Sequence, residues 1–275
     1  MSTEKETQLK LFVNKAYLIY TGIIFFLLFF ILFPFFFLLV ILGQKKYGLV
    51  LTRHWTTVFF FLLGMKIDIK NNHLLDKKST YIFCPNHFSF LDIPLMAQMP
   101  IAVQFVGKES LSKIPAFGYY FRKFHITVDR DSLRSKYKAF KESVDSLKKG
   151  FSLTVFPEGG INVANTKNLS EFKEGPFKMA LETGFQLVPI TIADNWRILP
   201  DDEKYLMRWK WKNRIIIHEP IDPSKYSIET LNEFQSEVKN IIQAELDKTN
   251  RLDCKIKKPT EVGYNVESEG FEPSN

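Results

Sequence analysis

The sequence predicts an α/β protein: a mainly parallel, mixed sheet flanked by helices, with an N-terminal membrane-embedded helical segment ahead of it. Three observations carry this expectation. Residues 17–42, YLIYTGIIFFLLFFILFPFFFLLVIL, hold no charge and are long enough to meet the thickness of a bilayer. From residue 80 onward, short apolar runs alternate with stretches of helical periodicity, the pattern of parallel strands joined by crossover helices. Three of those runs lead straight into polar loops, NHFSFLD, VDR and FPEGG, and strand ends are where α/β proteins place ligand chemistry.

As a helix, the apolar run spans about 39 Å at about 1.5 Å per residue, against a hydrocarbon core of about 30 Å. It is too long for a signal-peptide core and no small-residue cleavage site follows, so a retained segment is expected. Pro34 should kink or break it. Lys10 and Lys15 precede the run, and Lys45, Lys46 and Arg53 follow it. Basic residues on both flanks leave either a single tilted span or a hairpin broken at Pro34 that returns both flanks to the cytoplasmic face. Residues 55–65 read as an interfacial helix, with Trp55 at headgroup depth and Arg53 and His54 toward phosphates. Strands are expected at 80–84, 101–106, 126–129, 151–156, 186–193 and 214–218. Leu133, Tyr137, Phe140, Val144 and Leu147 mark a helix that Gly150 stops. Residues 176–184 form a short helix between Pro176 and Gly184. An amphipathic helix over 229–247 presents Leu231, Phe234, Val238, Ile241, Ile242 and Leu246. The chain thus divides into a membrane segment (1–66), an α/β domain (67–249) and a polar, mobile tail (250–275).

Hydrophobic residues make up 45% of the chain, enough for a packed core, which sets aside wholesale disorder. A net charge of +7 suits nucleic acid, an anionic membrane or acidic small molecules. The soluble part has no aromatic-basic nucleic-acid module, and the apolar segment favours the membrane. Cys84 and Cys254 are the only cysteines. They suggest neither a disulfide framework nor a zinc site, and no metal is expected. Walker, Gly-x-Gly-x-x-Gly, Gly-x-Ser-x-Gly and His-Glu-x-x-His signatures are all missing from the sequence.

Among five histidines, His54 and His73 read as solvated, His218 as structural at a strand end, and His125 as a sheet-edge residue. His87 differs. Its segment, FCPNHFSFLD, leaves a strand, turns at Pro85-Asn86 and enters a helix near Phe90, which Ser89 could cap. Asp92 then lies in the first helical turn and can reach back to the imidazole, leaving one ring nitrogen as a base. Alone, the pair reads equally as helix-start structure. Lys108 and Arg130 follow neighbouring strands, where cations are placed to bind phosphate, though two among 37 Lys and Arg carry little weight alone. FPEGGI brings Glu158, Gly159 and Gly160 after a strand. It is either a close-approach loop with oriented N–H groups or a plain tight turn. Lys173 and Gly175 precede a helix N-terminus, an anion-attracting position or an ordinary helix entry.

The order of these four stretches resembles the membrane-bound glycerolipid acyltransferases, the family of the 1-acylglycerol-3-phosphate acyltransferases. Asn86, His87 and Asp92 match its Asn-His-x4-Asp motif. Lys108, Pro115, Gly118 and Arg130 follow its second motif, with KESL a looser form of its opening. Phe156, Pro157, Glu158 and Gly159 follow its third, and Val188, Pro189 and Ile190 its fourth. Where the family has Thr-Arg, this chain has Gly160-Ile161. Lys108, Arg130 or Lys173 could take over that arginine's association with acceptor phosphate. The resemblance implies acyl transfer from coenzyme A or acyl carrier protein to the sn-2 hydroxyl of 1-acyl-glycerol-3-phosphate, giving phosphatidic acid. It implies His87 as general base and Asp92 as its orienting partner. Lys108, Arg130, Glu158, Gly159, Gly160 and Lys173 would be at the substrate, with Asn86, Pro157 and Pro189 structural beside it. Backbone N–H groups around Gly159-Gly160 are the expected oxyanion donors. No cofactor is expected beyond the thioester co-substrate, and the partners are the lysophospholipid, the thioester carrier and the bilayer. The expected location is the cytoplasmic membrane, active site on its cytoplasmic face. Another lysophospholipid or a lyso-ornithine lipid as acceptor, a hydrolase using Ser89, and a non-catalytic lipid-binding protein are the competing readings.

Overall fold

A computed structural model describes residues 2–161, 168–201, 206–210 and 212–257, with side chains from residue 7 to residue 250 within those ranges. The first helix, α1 (Ser2–Ile41), is continuous and contains Pro34. Its residues Thr7–Ile41 are long and apolar enough to cross a membrane. The break expected at Pro34 does not occur. Phe29 and Phe36, one on either side of it, are both buried, with ring centroids 5.8 and 4.6 Å from that of Tyr120. Packing on both sides of the proline keeps the helix continuous despite the lost hydrogen bond. The opposite face of the apolar helix stays uncovered, for example at Phe30, Ile31 and Phe35.

The helix expected at 55–65 begins earlier, as α2 (Lys45–Leu62). Trp55 does not face outward from the protein. It is only 3% exposed and packs 4.7 Å from Phe25, centroid to centroid. An indole that can be enclosed by Phe25, Phe29 and Tyr120 buries more apolar area than one at an interface. Arg53 donates to the Pro100 carbonyl (3.2 Å) rather than facing outward, while His54 is exposed as expected.

Among the described residues seven strands form one sheet, in the order β1-β7-β6-β2-β5-β3-β4. They are β1 (Lys66–Lys70), β2 (Ile82–Pro85), β3 (Val103–Lys108), β4 (Ile126–Val128), β5 (Ser152–Thr154), β6 (Leu187–Ile192) and β7 (Lys212–Ile217). Every neighbouring pair is parallel except β6–β7, the mainly parallel mixed sheet that the alternation of elements predicts. β1, in the sequence KIDIK, was not expected. Its alternating charges suit a half-exposed edge strand, and its partner β7 is remote in sequence.

Side-chain alternation along the strands gives the sheet two different faces. Phe83, Phe105, Val188, Ile190 and Ile215 point into a core shared with α1, α2, α3 (Asp92–Met96) and α4 (Phe117–Phe124). Ile82, Cys84, Leu153, Val155 and Leu187 point into a second core, covered by α5 (Leu133–Lys148), α6 (Gly175–Thr183) and α8 (Leu231–Lys257). The N-terminal helices are therefore one layer of the same packed body. On α5 the expected face is partly wrong. Val144 and Leu147 are buried, but Leu133 is 81% exposed and Tyr137 is exposed too, because the first turns of α5 overhang a cavity described below. α8 buries Leu231, Phe234, Val238, Ile242 and Leu246 as expected, with Ile241 partly covered. It runs on to Lys257, so the expected tail does not begin at 250, and 258–275 lie outside the described residues. Cys84 is buried and free; the side chain of Cys254 falls outside the described residues.

A buried polar chain ties α2 and α4 to β3. Thr52 donates its hydroxyl to the Gly48 carbonyl (2.9 Å), so it accepts from the Tyr120 hydroxyl (2.8 Å). Tyr120 in turn accepts from Nε2–H of His125 (2.9 Å), leaving Nδ1 to accept the Phe105 N–H (3.3 Å). His125 thus directly precedes the edge strand β4, as expected, but is buried.

Candidate active site

β2 ends at Pro85, and the next residues turn across the carboxyl edge of the sheet. Asn86 fixes the turn. Its side-chain amide donates to the Ile192 carbonyl (3.1 Å) and its oxygen accepts the Ile192 N–H (2.7 Å), locking the loop to the end of β6. His87 then faces the layer that contains α1 to α4. Its ring stacks on Phe156, centroids 3.9 Å apart, and its Nδ1 lies 3.0 Å from Oδ2 of Asp92.

Asp92 opens α3, as expected, and is completely buried. Its Oδ2 accepts three donors: His87 Nδ1, Phe88 N–H (2.8 Å) and Ser89 N–H (2.9 Å). Its Oδ1 accepts the amide of Asn195 (2.7 Å). A carboxylate taking four donors is held in one rotamer. It keeps the proton on Nδ1 and leaves Nε2 bare toward the cavity. Ser89 does not act as the helix cap. Its hydroxyl accepts from Leu91 N–H (3.1 Å) and donates to the Leu199 carbonyl (2.7 Å), so it is a tethered structural hydroxyl and a poor nucleophile.

Asn195, in the short helix α7 (Asn195–Ile198) just after β6, is a site residue that sequence reasoning missed. Asn213 of β7 donates to its side-chain oxygen, which fixes the amide flip and aims the Asn195 donor at Asp92. The relay Asn213–Asn195–Asp92–His87 crosses three strands. Its only signal in the sequence is an asparagine directly after a predicted strand, which is weak.

Glu158 is buried behind the histidine. Oε1 accepts the His87 N–H (2.8 Å), and Oε2 accepts both the N–H (3.1 Å) and the hydroxyl (2.9 Å) of Ser170. Burial raises its carboxyl above the usual range, against the opposing pull of those hydrogen bonds. Both oxygens accept from protein groups, so Glu158 holds the His87 main chain in place. Gly159 has a φ of +76°, a left-handed conformation that strains any other residue. Its N–H donates to the Phe156 carbonyl (3.1 Å), which removes it from the expected oxyanion donors and leaves Gly160. Pro157 is buried and its carbonyl accepts Lys173 N–H (2.8 Å). Pro189 pairs with Cys84 across β2 and β6, and its carbonyl accepts His218 N–H (3.1 Å).

A cavity of about 420 Å³ opens in front of the imidazole. Phe90, Ile93, Phe105, Leu111, Phe121, Phe156 and Ile161 make it largely apolar, and Lys108, Ser110, Arg130 and Asp201 are its polar side chains besides His87. Arg130 is half-buried, donates to the Gly159 carbonyl and has its guanidinium pKa lowered by that burial. Both cations expected at strand ends, Lys108 and Arg130, thus line the cavity of the histidine. Lys173 is exposed and lines a neighbouring cavity instead.

The acyltransferase family profile matches residues 66–193. The chain is 29% identical over 197 residues to the chloroplastic 1-acyl-sn-glycerol-3-phosphate acyltransferase of Arabidopsis thaliana, covering 71% of this chain and 54% of the relative. It is 31% identical over 150 residues to the 1-acyl-sn-glycerol-3-phosphate acyltransferase of Borreliella burgdorferi, covering 54% and 59%. It spans about half the length of the plant relatives it matches. Its fold is that of the crystal structure of the 1-acyl-sn-glycerophosphate acyltransferase PlsC from Thermotoga maritima, with a TM-score of 0.72 at 23% identity over 86% of this chain and 98% of that one. The likeness to the acyltransferase family profile lies in residues 66–193, the stretch that carries the His87–Asp92 pair.

Proposed function

We propose that the protein is a membrane-bound O-acyltransferase that esterifies the free hydroxyl of 1-acyl-sn-glycerol-3-phosphate to give phosphatidic acid. The observation that carries this is a carboxylate-held imidazole in a largely apolar cavity whose polar side chains include Lys108 and Arg130. The lipid body fits the apolar part, and the phosphate fits the two cations. Nε2 of His87 takes the hydroxyl proton as the oxygen attacks the thioester carbonyl, and Asp92 stabilises the imidazolium that forms. The C–S bond then breaks, and the imidazolium returns the proton to the leaving thiolate. No acyl-enzyme is required. Gly160 N–H, next to the carbonyl-bound Gly159, is the backbone donor best placed for the oxyanion.

The donor is an acyl thioester of coenzyme A or acyl carrier protein. The apolar α1 seats the cavity at the membrane surface, facing the cytoplasm, where a bilayer acceptor and a water-soluble donor meet. A lysolipid without a phosphate monoester is the second reading, because Ile161 stands where the resemblance places an arginine. Purified His87→Ala protein in detergent micelles should lose roughly 10²–10⁴ of the turnover of lysophosphatidic acid while unfolding at the same urea concentration as the parent. Near-parental turnover would end this mechanism, and a preference for acceptors without a phosphate monoester would move the reading to the second.

A further inference from the structure

A larger cavity, of about 770 Å³, lies on the opposite face of the sheet from the membrane-side helices, between α5 and α6. Its floor is apolar: Val106, Val128, Val155, Ala139, Phe140 and Met179. Its rim carries four cations, Arg130, Lys136, Lys173 and Lys178. Lys178 is paired with Glu174. Lys136 and Lys173 are exposed and have no carboxylate bonded to them among the described residues. Arg130 and Phe156 line this cavity and the His87 cavity alike. The Gly159-Gly160 turn joins the two, Gly159 lining the larger cavity and Gly160 that of His87, with the Arg130 guanidinium bonded to the Gly159 carbonyl there.

We infer that this second cavity receives the phosphopantetheine arm of the acyl-thioester donor, so that donor and acceptor reach His87 from opposite faces of the sheet. This rests on the acyltransferase reading. The arm is an uncharged, partly apolar chain that ends in a phosphate, and its chemistry fits an apolar floor under a rim where Lys136 and Lys173 have no carboxylate bonded to them among the described residues. The position of α1 strengthens the assignment. The acceptor arrives from the lipid side, where α1 to α4 pack, whereas α5 and α6 present the other face to water. A soluble carrier then docks without displacing the lipid, and the thiolate formed at the Gly159-Gly160 turn leaves by the way it came. Coenzyme A and acyl carrier protein share the arm, so the cavity serves either.

The test is the double variant Lys136→Glu/Lys173→Glu, made in the full chain and assayed in detergent micelles with acyl-coenzyme A and with acyl carrier protein as donors. The KM for the donor should rise about tenfold or more, the loss of about one charge-assisted contact. The acceptor KM and kcat should stay within about threefold of the parent. A rise with both donors assigns the cavity to the shared arm, and a rise with one alone assigns it to that carrier. An unchanged donor KM with both, or a rise in acceptor KM alone, overturns the proposal. Binding of coenzyme A itself, by calorimetry without acceptor, separates this from the reaction. If the parent transfers no acyl group to lysophosphatidic acid, the acyltransferase reading fails. The cavity assignment then stands if charge reversal abolishes coenzyme A binding, and falls if binding is unchanged or absent in the parent.

Discussion

Acidification should loosen this protein through one buried imidazole that takes no part in the chemistry. His125 is enclosed between α4, β3 and α2, and its pKa falls from 6.5 to about 3, through burial first and the charge of Lys45 second. The hydrogen bonds give the same direction, since Nδ1 is occupied by the Phe105 N–H and has no room for a proton. The unfolded chain takes up a proton near pH 6.5 and the folded protein does not. His125 therefore contributes stability in full above pH 6.5, and that stability is lost as pH falls toward 3. The slope is about 1.4 kcal/mol per pH unit, so about 2 kcal/mol is gone at pH 5. The control is His125→Gln, whose amide can donate to Tyr120 and accept from Phe105 without titrating. Urea unfolding in micelles at pH 7.5 and pH 5 should show the parent losing about 2 kcal/mol more than the variant. Equal losses would mean that His125 is protonated in the folded state and that the polar chain through Tyr120 and Thr52 has been misread. The outcome bears on function, because Phe105 and Phe121, on either side of His125, also line the catalytic cavity.

Asn195→Leu removes the donor on Asp92 and strands the Asn213 amide; it should lower kcat about tenfold with little change in KM, and lower stability by about 1.5–3 kcal/mol, the worth of a hydrogen bond to a charged group. Steady-state kinetics and a urea titration on the same sample read both. Glu158→Gln tests the opposite pH sign. Burial raises the Glu158 pKa, so its stabilising contribution is present at low pH and lost as pH rises through the folded value. The parent's stability advantage over the variant should therefore be larger at pH 4 than at pH 8, measured by urea unfolding at each.

What the sequence revealed depended on how far apart the interacting residues lie. His87 and Asp92 share one loop, so their contact follows from a strand end and a helix start five residues on. Lys108 and Arg130 were legible as strand ends, because parallel strands place all such ends along one edge. Asn195 reaches Asp92 across 103 residues, and that contact exists only because β6 lies beside β2 and not at the sheet edge. No local pattern encodes strand order. β1 was missed for the same reason: KIDIK becomes a strand only once β7 supplies its partner. Pro34 and Trp55 show the converse failure. Local rules predicted a break and an indole turned toward headgroups, and the aromatic face of α4 keeps the helix continuous and covers the indole with protein by packing Tyr120 against Phe29, Phe36 and Trp55.

The substitution at Gly160-Ile161 is where geometry adds most to the motif. Ile161 lines the His87 cavity, so a position that could carry a cation there is apolar. Arg130 occupies the same space from the other side of the loop: its Nη1 lies 3.5 Å from where a Cβ on residue 160 would stand, and it donates to the Gly159 carbonyl. Recognition of the acceptor phosphate should then rest on Arg130, with Lys108 as a second, more solvated charge. A guanidinium can hold two phosphate oxygens at once and an ammonium cannot, so Arg130→Lys should recover little of what Arg130→Ala loses. Loss of about 1.5–3 kcal/mol of charge-assisted bonding corresponds to a rise in acceptor KM of about 10- to 150-fold. Lys108→Ala, more exposed, should raise it less. The comparison that decides is between lysophosphatidic acid and monoacylglycerol, which lacks the phosphate. The Arg130→Ala defect should appear with the first and vanish with the second. An equal defect with both would show that Arg130 holds the Gly159 turn in shape and that the phosphate is bound elsewhere.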